Sequence, residues 1–402
     1  MQISDVRVVI IGTNWRNLIM VKAVTDEGVY GIGEATTQNR EEGVVGYLQG
    51  LFHRFVLGAD PLRIEDLANR MYRDEFWRGG VIAMSGLSAV EIACWDILGK
   101  VTRQPVYQLL GGACWNRLKA YANGWYQTDT RTPEEFARLA RDVARRGYKA
   151  LKVDPFGPGF YELEYEEFDR SVQIVAAIRE AVGPEFEIHM EGHGRFTPAT
   201  ALALARELAP YRPSWFEEPV PPENLEALRR VIEGSPVPIA TGERVFGHFE
   251  YGRLFQHAVP DVVQPDLTHA GGFLGLKKIA AIADAHYVTV APHNANSPFC
   301  TAATAHACAA MTNFKTLEVF DDFQEPWLWD VFTGVPRVVD GYLPLPAGPG
   351  IGADFNEDAA REHPYVQGFF NLFEAGWEQR RFSRSITASP PRTAINVPRE
   401  KI

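Results

Sequence analysis

The stretch FEIHMEGHGRF at residues 186–196, followed by WFEEP at 215–219 and IATGER at 239–244, places Glu191, Glu217 and Glu243 at even intervals of 26 residues. Each carboxylate closes or follows a short apolar run that reads as a strand (186–190, 214–216 and 237–240), and a helix-like stretch follows each one. One β-plus-α unit therefore separates neighbouring acids. Acids at the same end of successive parallel strands converge in space. Three hard oxygen ligands that leave room for substrate suit Mg²⁺, which is held by a few carboxylates together with water and substrate oxygens.

Working outward, strand-like runs at 118–123, 150–153, 186–190, 214–216, 237–240, 262–264, 288–291 and 314–317 alternate with helical stretches. Eight such units in about 200 residues predict an α/β fold built on a TIM-like (β/α)8 barrel, with the site at the C-terminal ends of the strands. A doubly wound sheet competes, but the even spacing of the acids favours the closed barrel. Residues 1–115 lack this rhythm: 6–11 and 17–25 alternate like a hairpin, and a helical region begins near Asn39. A separate α+β capping domain is expected there, with the barrel at 116–325. From 326 to 402 the chain is broken by Pro326, Pro336, Pro344, Pro346 and Pro349 and is expected to return to the cap. Its tail carries Arg380, Arg381, Arg384, Arg392, Arg399 and Lys401 against Glu400, and reads as a surface or subunit-contact segment.

At 402 residues and 46% hydrophobic, the chain can bury a large core. No apolar run is expected to approach the roughly 20 residues that span a bilayer. The start, MQISDVRVVII, alternates and carries charge where a signal peptide has an apolar block, so a cytoplasmic protein is expected. Cys94, Cys114, Cys300 and Cys308 form no CxxC pair and read as core or surface residues. A formal net charge of −11 argues against a nucleic-acid partner and alone decides nothing about substrate, since local positive charge in a cleft can still attract a small anionic molecule.

Chemistry-bearing residues continue past the three glutamates. The sixth run leads into Gln264-Pro265-Asp266, the seventh into Ala291-Pro292-His293-Asn294, and the eighth ends in Leu317-Glu318. Every barrel strand from the third onward is thus followed by a polar, titratable group. Asp266 beside His293 would orient the imidazole and raise its basicity, the arrangement of a general base worth roughly 10²–10⁴-fold. His193, two residues beyond Glu191, would face the same space from the other side as a second proton-transfer group.

These residues resemble the enolase superfamily, in its mandelate racemase group, and most of all the galactonate and gluconate dehydratase-like sugar-acid dehydratases. The likeness rests on AMSGLSAVEIACWDILGK at 83–100 with Pro105 and LLGG at 109–112, EGHGR at 191–195, FEEP at 216–219, QPD at 264–266 with HAGG at 269–272, and APH at 291–293. It covers the chain to about residue 355. The resemblance implies Mg²⁺ on Glu191, Glu217 and Glu243, with His293 and Asp266 removing the C2 proton of a sugar acid and His193 protonating the departing C3 hydroxyl. The product would tautomerise to a 2-keto-3-deoxy acid. Glu318 would hydrogen-bond the substrate as a protonated or proton-sharing group. Arg16, Trp77 and Arg78 from the cap, with Asn123 and Arg195 near the strand ends, are the candidate substrate contacts. Family members commonly form homo-oligomers.

Two departures from the family pattern carry information. Glu191 stands where many relatives have Asp. Lys152-Val153-Asp154 stands where racemases and lactonizing relatives carry Lys-x-Lys, so the distal lysine is missing. Lys152 is then an electrostatic partner of the substrate carboxylate or Glu191, or an ion pair lining the barrel. One base on one face implies a one-directional elimination and an R-configured C2, as in galactonate, gluconate or xylonate rather than mannonate. A racemase or cycloisomerase would keep the metal and His293 but survive loss of His193. A non-catalytic metal-binding homologue is disfavoured because no ligand or dyad residue is lost.

Overall fold

The computed structural model describes residues 1–382. The alternating run at the start forms β1 (Ile3–Gly12) and β2 (Asn17–Thr25), antiparallel with Gly12 opposite Asn17. A third strand that the sequence reading did not separate, β3 (Tyr30–Glu34), pairs with β2. Its two glycines give it little strand signal, and packing explains them. The helix Gly80–Thr102 lies so close that a Cβ on Gly31 would sit 1.9 Å from Ala93 O, and one on Gly33 1.9 Å from Ala89 O. Gly33→Ala should therefore push strand and helix apart and destabilise the cap by about 1–3 kcal/mol, seen as a lower denaturant midpoint.

That helix corrects one expectation. With a mean hydropathy of 1.6 over its most apolar stretch, Val81–Thr102 is long and apolar enough to cross a bilayer, although 72% of that stretch is buried inside the protein. Its acids, Glu91 and Asp96, interrupt the apolar run in the sequence, and they are satisfied internally. Glu91 accepts from Trp95 Nε1 and from the backbone N–H groups of Phe273 and Leu274, and Asp96 pairs with Lys100 at 2.7 Å.

Eight parallel strands follow: β4 (Arg117–Ala122), β5 (Ala150–Val153), β6 (Glu187–Glu191), β7 (Trp215–Glu217), β8 (Ile239–Thr241), β9 (Val262–Val263), β10 (Thr289–Val290) and β11 (Leu317–Val319). Each pairs with the next from β4 to β10, and β11 pairs with β4. The last seam is closed by a bridge from Val290 to Phe314, so residue 314 contributes a contact while the strand itself starts three residues later. The result is a (β/α)8 barrel whose interior is filled by Tyr121, Ala150, Trp215, Ala240, Val262 and Ala291. His189 stacks on Trp215 at 3.6 Å inside it. Four of the outer helices start alike: Thr132, Thr197, Asn224 and Ser297 each accept a hydrogen bond from the backbone N–H three residues on, and three of these caps precede a proline.

The chain after residue 326 runs back over the cap. Lys22 pairs with Glu357 at 2.7 Å, Gly12 N donates to His363 O at 2.9 Å, and the side chains of Asn17 and Asn39 bond the backbone of Val366 and Phe370. Arg380, expected on the surface, is 6% exposed and packs on aromatic rings, because this returning segment folds under the cap loop rather than away from it. Arg384, Arg392, Arg399 and Lys401 lie outside the described residues. Cys94, Cys300 and Cys308 are buried thiols and Cys114 is exposed, none of them paired.

Candidate active site

The barrel register brings the three glutamates together. Glu191 and Glu217 are direct neighbours across β6 and β7, both fully buried. Glu243 lies two residues past β8 and is carried over the barrel mouth by Gly242, at φ +140°, where a Cβ would meet the Tyr251 hydroxyl at 2.3 Å. One carboxylate oxygen from each residue lies within 4.8 Å of the other two. Glu191 Oε2, 3.2 Å from Lys152 Nζ, has no hydrogen bond of good geometry. Burial, then the Glu217 charge, holds the Glu191 carboxyl well above the usual range. Buried acids this close repel one another unless a cation joins them, so the donor set fits a divalent metal with oxygen ligands.

Lys152, at the end of β5, is the cation already present. Its Nζ lies 2.9 Å from Glu217, 3.0 Å from Glu318 and 3.2 Å from Glu191. Burial alone would lower its pKa, but Glu217 and Glu318 outweigh that and hold the proton on. Glu318 also accepts from Asn123 Nδ2 at 2.6 Å and from Asn294 N at 2.8 Å. Burial raises the Glu318 pKa, yet Lys152 and His293 outweigh it and leave the group below the ordinary range. Lys152 against it thus favours its ionised form, whereas the resemblance implied a protonated or proton-sharing group.

His293 is held by Asp266, whose Oδ2 accepts from Nδ1 at 2.6 Å, while Nε2 points to Glu243 at 3.2 Å. Asp266 is fixed in turn by the Thr268 hydroxyl at 2.6 Å and Asn296 at 3.0 Å. Burial would lower the imidazole pKa, but Glu243, Glu318 and Asp266 push it up to about 9.

A second dyad, not foreseen from the sequence, faces this one. Asp154 Oδ2 lies 2.5 Å from His193 Nδ1, Asp154 Oδ1 accepts from Phe156 N at 3.0 Å, and Arg195 donates to the same carboxylate. His193 itself has φ +48°, a left-handed turn anchored by its N–H on Glu191 Oε1 at 2.7 Å. Burial lowers the His193 pKa despite Asp154. Asp154 occupies the position of the missing distal lysine; that departure from Lys-x-Lys was the available signal, and only the absence of the lysine was read from it.

Lys152, His193, Glu243 and His293 line one cavity of about 500 Å³ beneath the cap, together with Arg16, Asn123, Arg244 and His269. Its roof is Trp15, Gln38, Asn39 and residues of the returning segment, including Phe370, Trp377 and Arg380. None of these roof residues was singled out in the sequence except Arg380, which was misplaced. A larger hollow of about 1130 Å³, lined by Pro158, Leu163 and Glu207, contains none of the strand-end groups.

Three expected substrate contacts lie elsewhere. Trp77 is 86% exposed against Phe76, and Arg78 is tied to the backbone carbonyls of Arg73 and Glu75, so both face out of the cavity. Arg195 is fully buried behind the cavity wall, its donors spent on Asp154, Gly157 O and Gly192 O. It can hold the second dyad but does not line the cavity.

Known proteins resemble this chain along most of its length. Residues 5–111 match the mandelate racemase/muconate lactonizing enzyme N-terminal domain, and residues 135–359 the enolase C-terminal domain-like family. The chain is 38% identical over 340 residues to a D-gluconate dehydratase of Thermoproteus tenax, covering 84% of this chain and 68% of that protein. It is 34% identical to a D-mannonate dehydratase of Caulobacter vibrioides, covering 94% and 98%. Among solved structures, a mandelate racemase/muconate lactonizing enzyme from Jannaschia sp. superposes with a TM-score of 0.86 at 34% identity, covering 92% of this chain and 99% of that one. Barrel, cap and matched segments agree, and the chain belongs to the mandelate racemase/muconate lactonizing enzyme family of the enolase superfamily.

Proposed function

We propose that the protein is a Mg²⁺-dependent sugar-acid dehydratase that converts a 2R sugar acid to a 2-keto-3-deoxy acid. The observation that carries this reading is the pair of Asp–His dyads, Asp266–His293 and Asp154–His193, opening into one cavity on either side of the metal-ligand cluster. Relatives named as gluconate and mannonate dehydratases support the reaction class. Glu191, Glu217 and Glu243 would hold a divalent cation, which when bound would supply Lewis-acid stabilisation of negative charge on the substrate carboxylate. His293 takes the C2 proton on Nε2, with Asp266 fixing the tautomer and stabilising the imidazolium. His193 gives a proton to the C3 hydroxyl, which leaves as water. The resulting enol tautomerises to the keto acid. Asn123, Glu318 and Lys152 fix the floor on which the acid group rests.

The test is a set of 2R and 2S aldonic acids assayed with and without Mg²⁺, reading 2-keto-3-deoxy acid as its semicarbazone. Metal-dependent product from 2R acids is expected. Exchange of the α-proton in D₂O without loss of water would replace this reading by racemisation or cycloisomerisation.

Two further outcomes are expected here. Asp154→Asn should reduce dehydration by about 10²-fold or more, because His193 loses the charge that favours its protonated form and keeps only a neutral amide acceptor at Nδ1. α-Proton exchange through His293 should persist in that variant, which separates the second dyad from the first. Loading with Mg²⁺ near neutral pH should release protons from Glu191 and His293, so affinity should rise with pH. Calorimetry in buffers of different ionisation enthalpy measures this, and Glu217→Gln should remove both the binding and the proton release.

A further inference from the structure

The roof of the cavity carries two cations that the proton transfers leave unused. Arg16, on the turn between β1 and β2, and Arg380, in the returning segment, both line the cavity and are 7% and 6% exposed. They share one support: Cζ of Arg16 is 3.7 Å and Cζ of Arg380 is 4.9 Å from the centroid of the Trp15 ring. Arg380 also lies over Phe320 at 4.6 Å and Tyr126 at 5.0 Å. Among the described residues, Nε of each guanidinium has no hydrogen-bond partner, and Arg16 reaches Gln38 Oε1 at only 3.5 Å. The acids whose charge reaches Arg16 are Glu34, Asp266 and Glu318, and each is committed elsewhere. Glu34 accepts from Ser297 and Thr36, Asp266 from His293 and Thr268, and Glu318 from Asn123 and Asn294 beside Lys152. Burial and then the neighbouring Arg380 depress the Arg16 pKa to about 9. Burial lowers the Arg380 pKa too, outweighing the Tyr126 phenol, Glu318 and Asp154. Stacking on aromatic rings offsets part of the desolvation of both guanidinium groups, but neither has a carboxylate in salt-bridge contact among the described residues. Two buried cations side by side with no carboxylate partner among the described residues are unfavourable until an anion joins them.

We infer, building on the dehydratase reading, that Arg16 and Arg380 form an anion subsite and that the substrate is a sugar acid with a second anionic group at its far end. The reacting carboxylate end lies on the barrel floor with Lys152 and His293, and the distal end meets the cap. The terminal carboxylate of an aldaric acid and the phosphate of a phosphorylated aldonic acid share the required chemistry, since a guanidinium binds either through paired N–H donors. A neutral terminal hydroxyl would leave both charges unpaired.

The experiment is calorimetric titration of the full chain with Mg²⁺, using acids matched at C2 to C5 and differing at C6: gluconate against glucarate, galactonate against galactarate, and gluconate against 6-phosphogluconate. One doubly anionic class should bind about 10- to 100-fold tighter than its matched aldonate, the range of an added charge-assisted hydrogen bond or two. Tighter glucarate or galactarate identifies a dicarboxylate, and tighter 6-phosphogluconate a phosphate ester. Arg16→Gln and Arg380→Gln should each remove most of that preference, and Arg380→Lys should restore part of it. A residue that only supports the fold would weaken both members of a pair alike. Equal affinities within every pair, no binding of any doubly anionic acid, or equal losses in the variants would overturn the subsite. The wild-type comparison needs no variant to fold. A preference for doubly anionic acids without 2-keto-3-deoxy product would sink the dehydratase reading and leave the subsite standing; dehydration of aldonates without any preference would do the reverse.

Discussion

His293→Asn should lower kcat/KM for dehydration by roughly 10²–10⁴-fold and abolish α-proton exchange in D₂O, with the fold retained. The imidazole is the group whose geometry suits C2–H removal: Asp266 fixes Nδ1 and leaves Nε2 facing the cavity beside Glu243. Without a metal, burial is outweighed by Glu243, Glu318 and Asp266, and the imidazole pKa lies near about 9, so the base is protonated at neutral pH. A divalent cation held by Glu243 would oppose that proton and free the base. Activity should accordingly rise with pH as His293 deprotonates. Asp266→Asn should move that limb to lower pH and reduce the rate, because an asparagine neither raises the pKa nor stabilises the imidazolium. An unchanged pH profile in Asp266→Asn, or proton exchange surviving in His293→Asn, would remove His293 as the base.

Lys152→Met should cost about 3–5 kcal/mol of stability in the metal-free protein, the range for breaking a buried ion pair by removing one partner. The variant leaves Glu191, Glu217 and Glu318 facing one another, all fully buried, without the ammonium that lies within 2.9–3.2 Å of each. The Lys152 pKa is raised in the folded state, so its contribution is fully present below the unfolded value and is lost only as pH rises through the still higher folded value. Wild-type stability should thus show no loss from this group between pH 5 and about 9. The variant should behave differently: its carboxylates gain protons as pH falls, so mild acid should recover part of the deficit, and Mg²⁺ should recover part as well. Denaturant midpoints at several pH values, with and without metal, measure this. A deficit independent of both would assign Lys152 a packing role only.

Much of the fold follows from periodicity alone. Apolar runs alternating with capped helices give the barrel, because strand and helix are local solutions to the burial pattern and a parallel β/α repeat closes in few ways. β3 escaped that reading because its glycines serve the helix packed on them and carry no strand propensity of their own. The chemistry at the strand ends was equally legible, since residues that end successive parallel strands must meet whatever the loops do. Glu191, Glu217 and Glu243 converge for that reason, and so do Asp266 and His293.

What the sequence by itself determined, then, is the barrel, the convergence of its three strand-end glutamates and one dyad, all consequences of local periodicity plus strand register. Tertiary structure alone decided which way the loops aim. Asp154 meets His193 only because β5 and β6 are neighbours and the chain after Glu191 turns through a left-handed residue. Trp77 and Arg78 turn outward because backbone carbonyls hold Arg78 on the surface. Arg380 enters the cavity from a segment that begins beyond the barrel and is drawn under the cap by contacts with residues more than 300 positions earlier, such as Asn14 and Asn39. Such contacts depend on where a long return path ends and leave no periodic trace, whereas a strand end is fixed by the ladder that contains it.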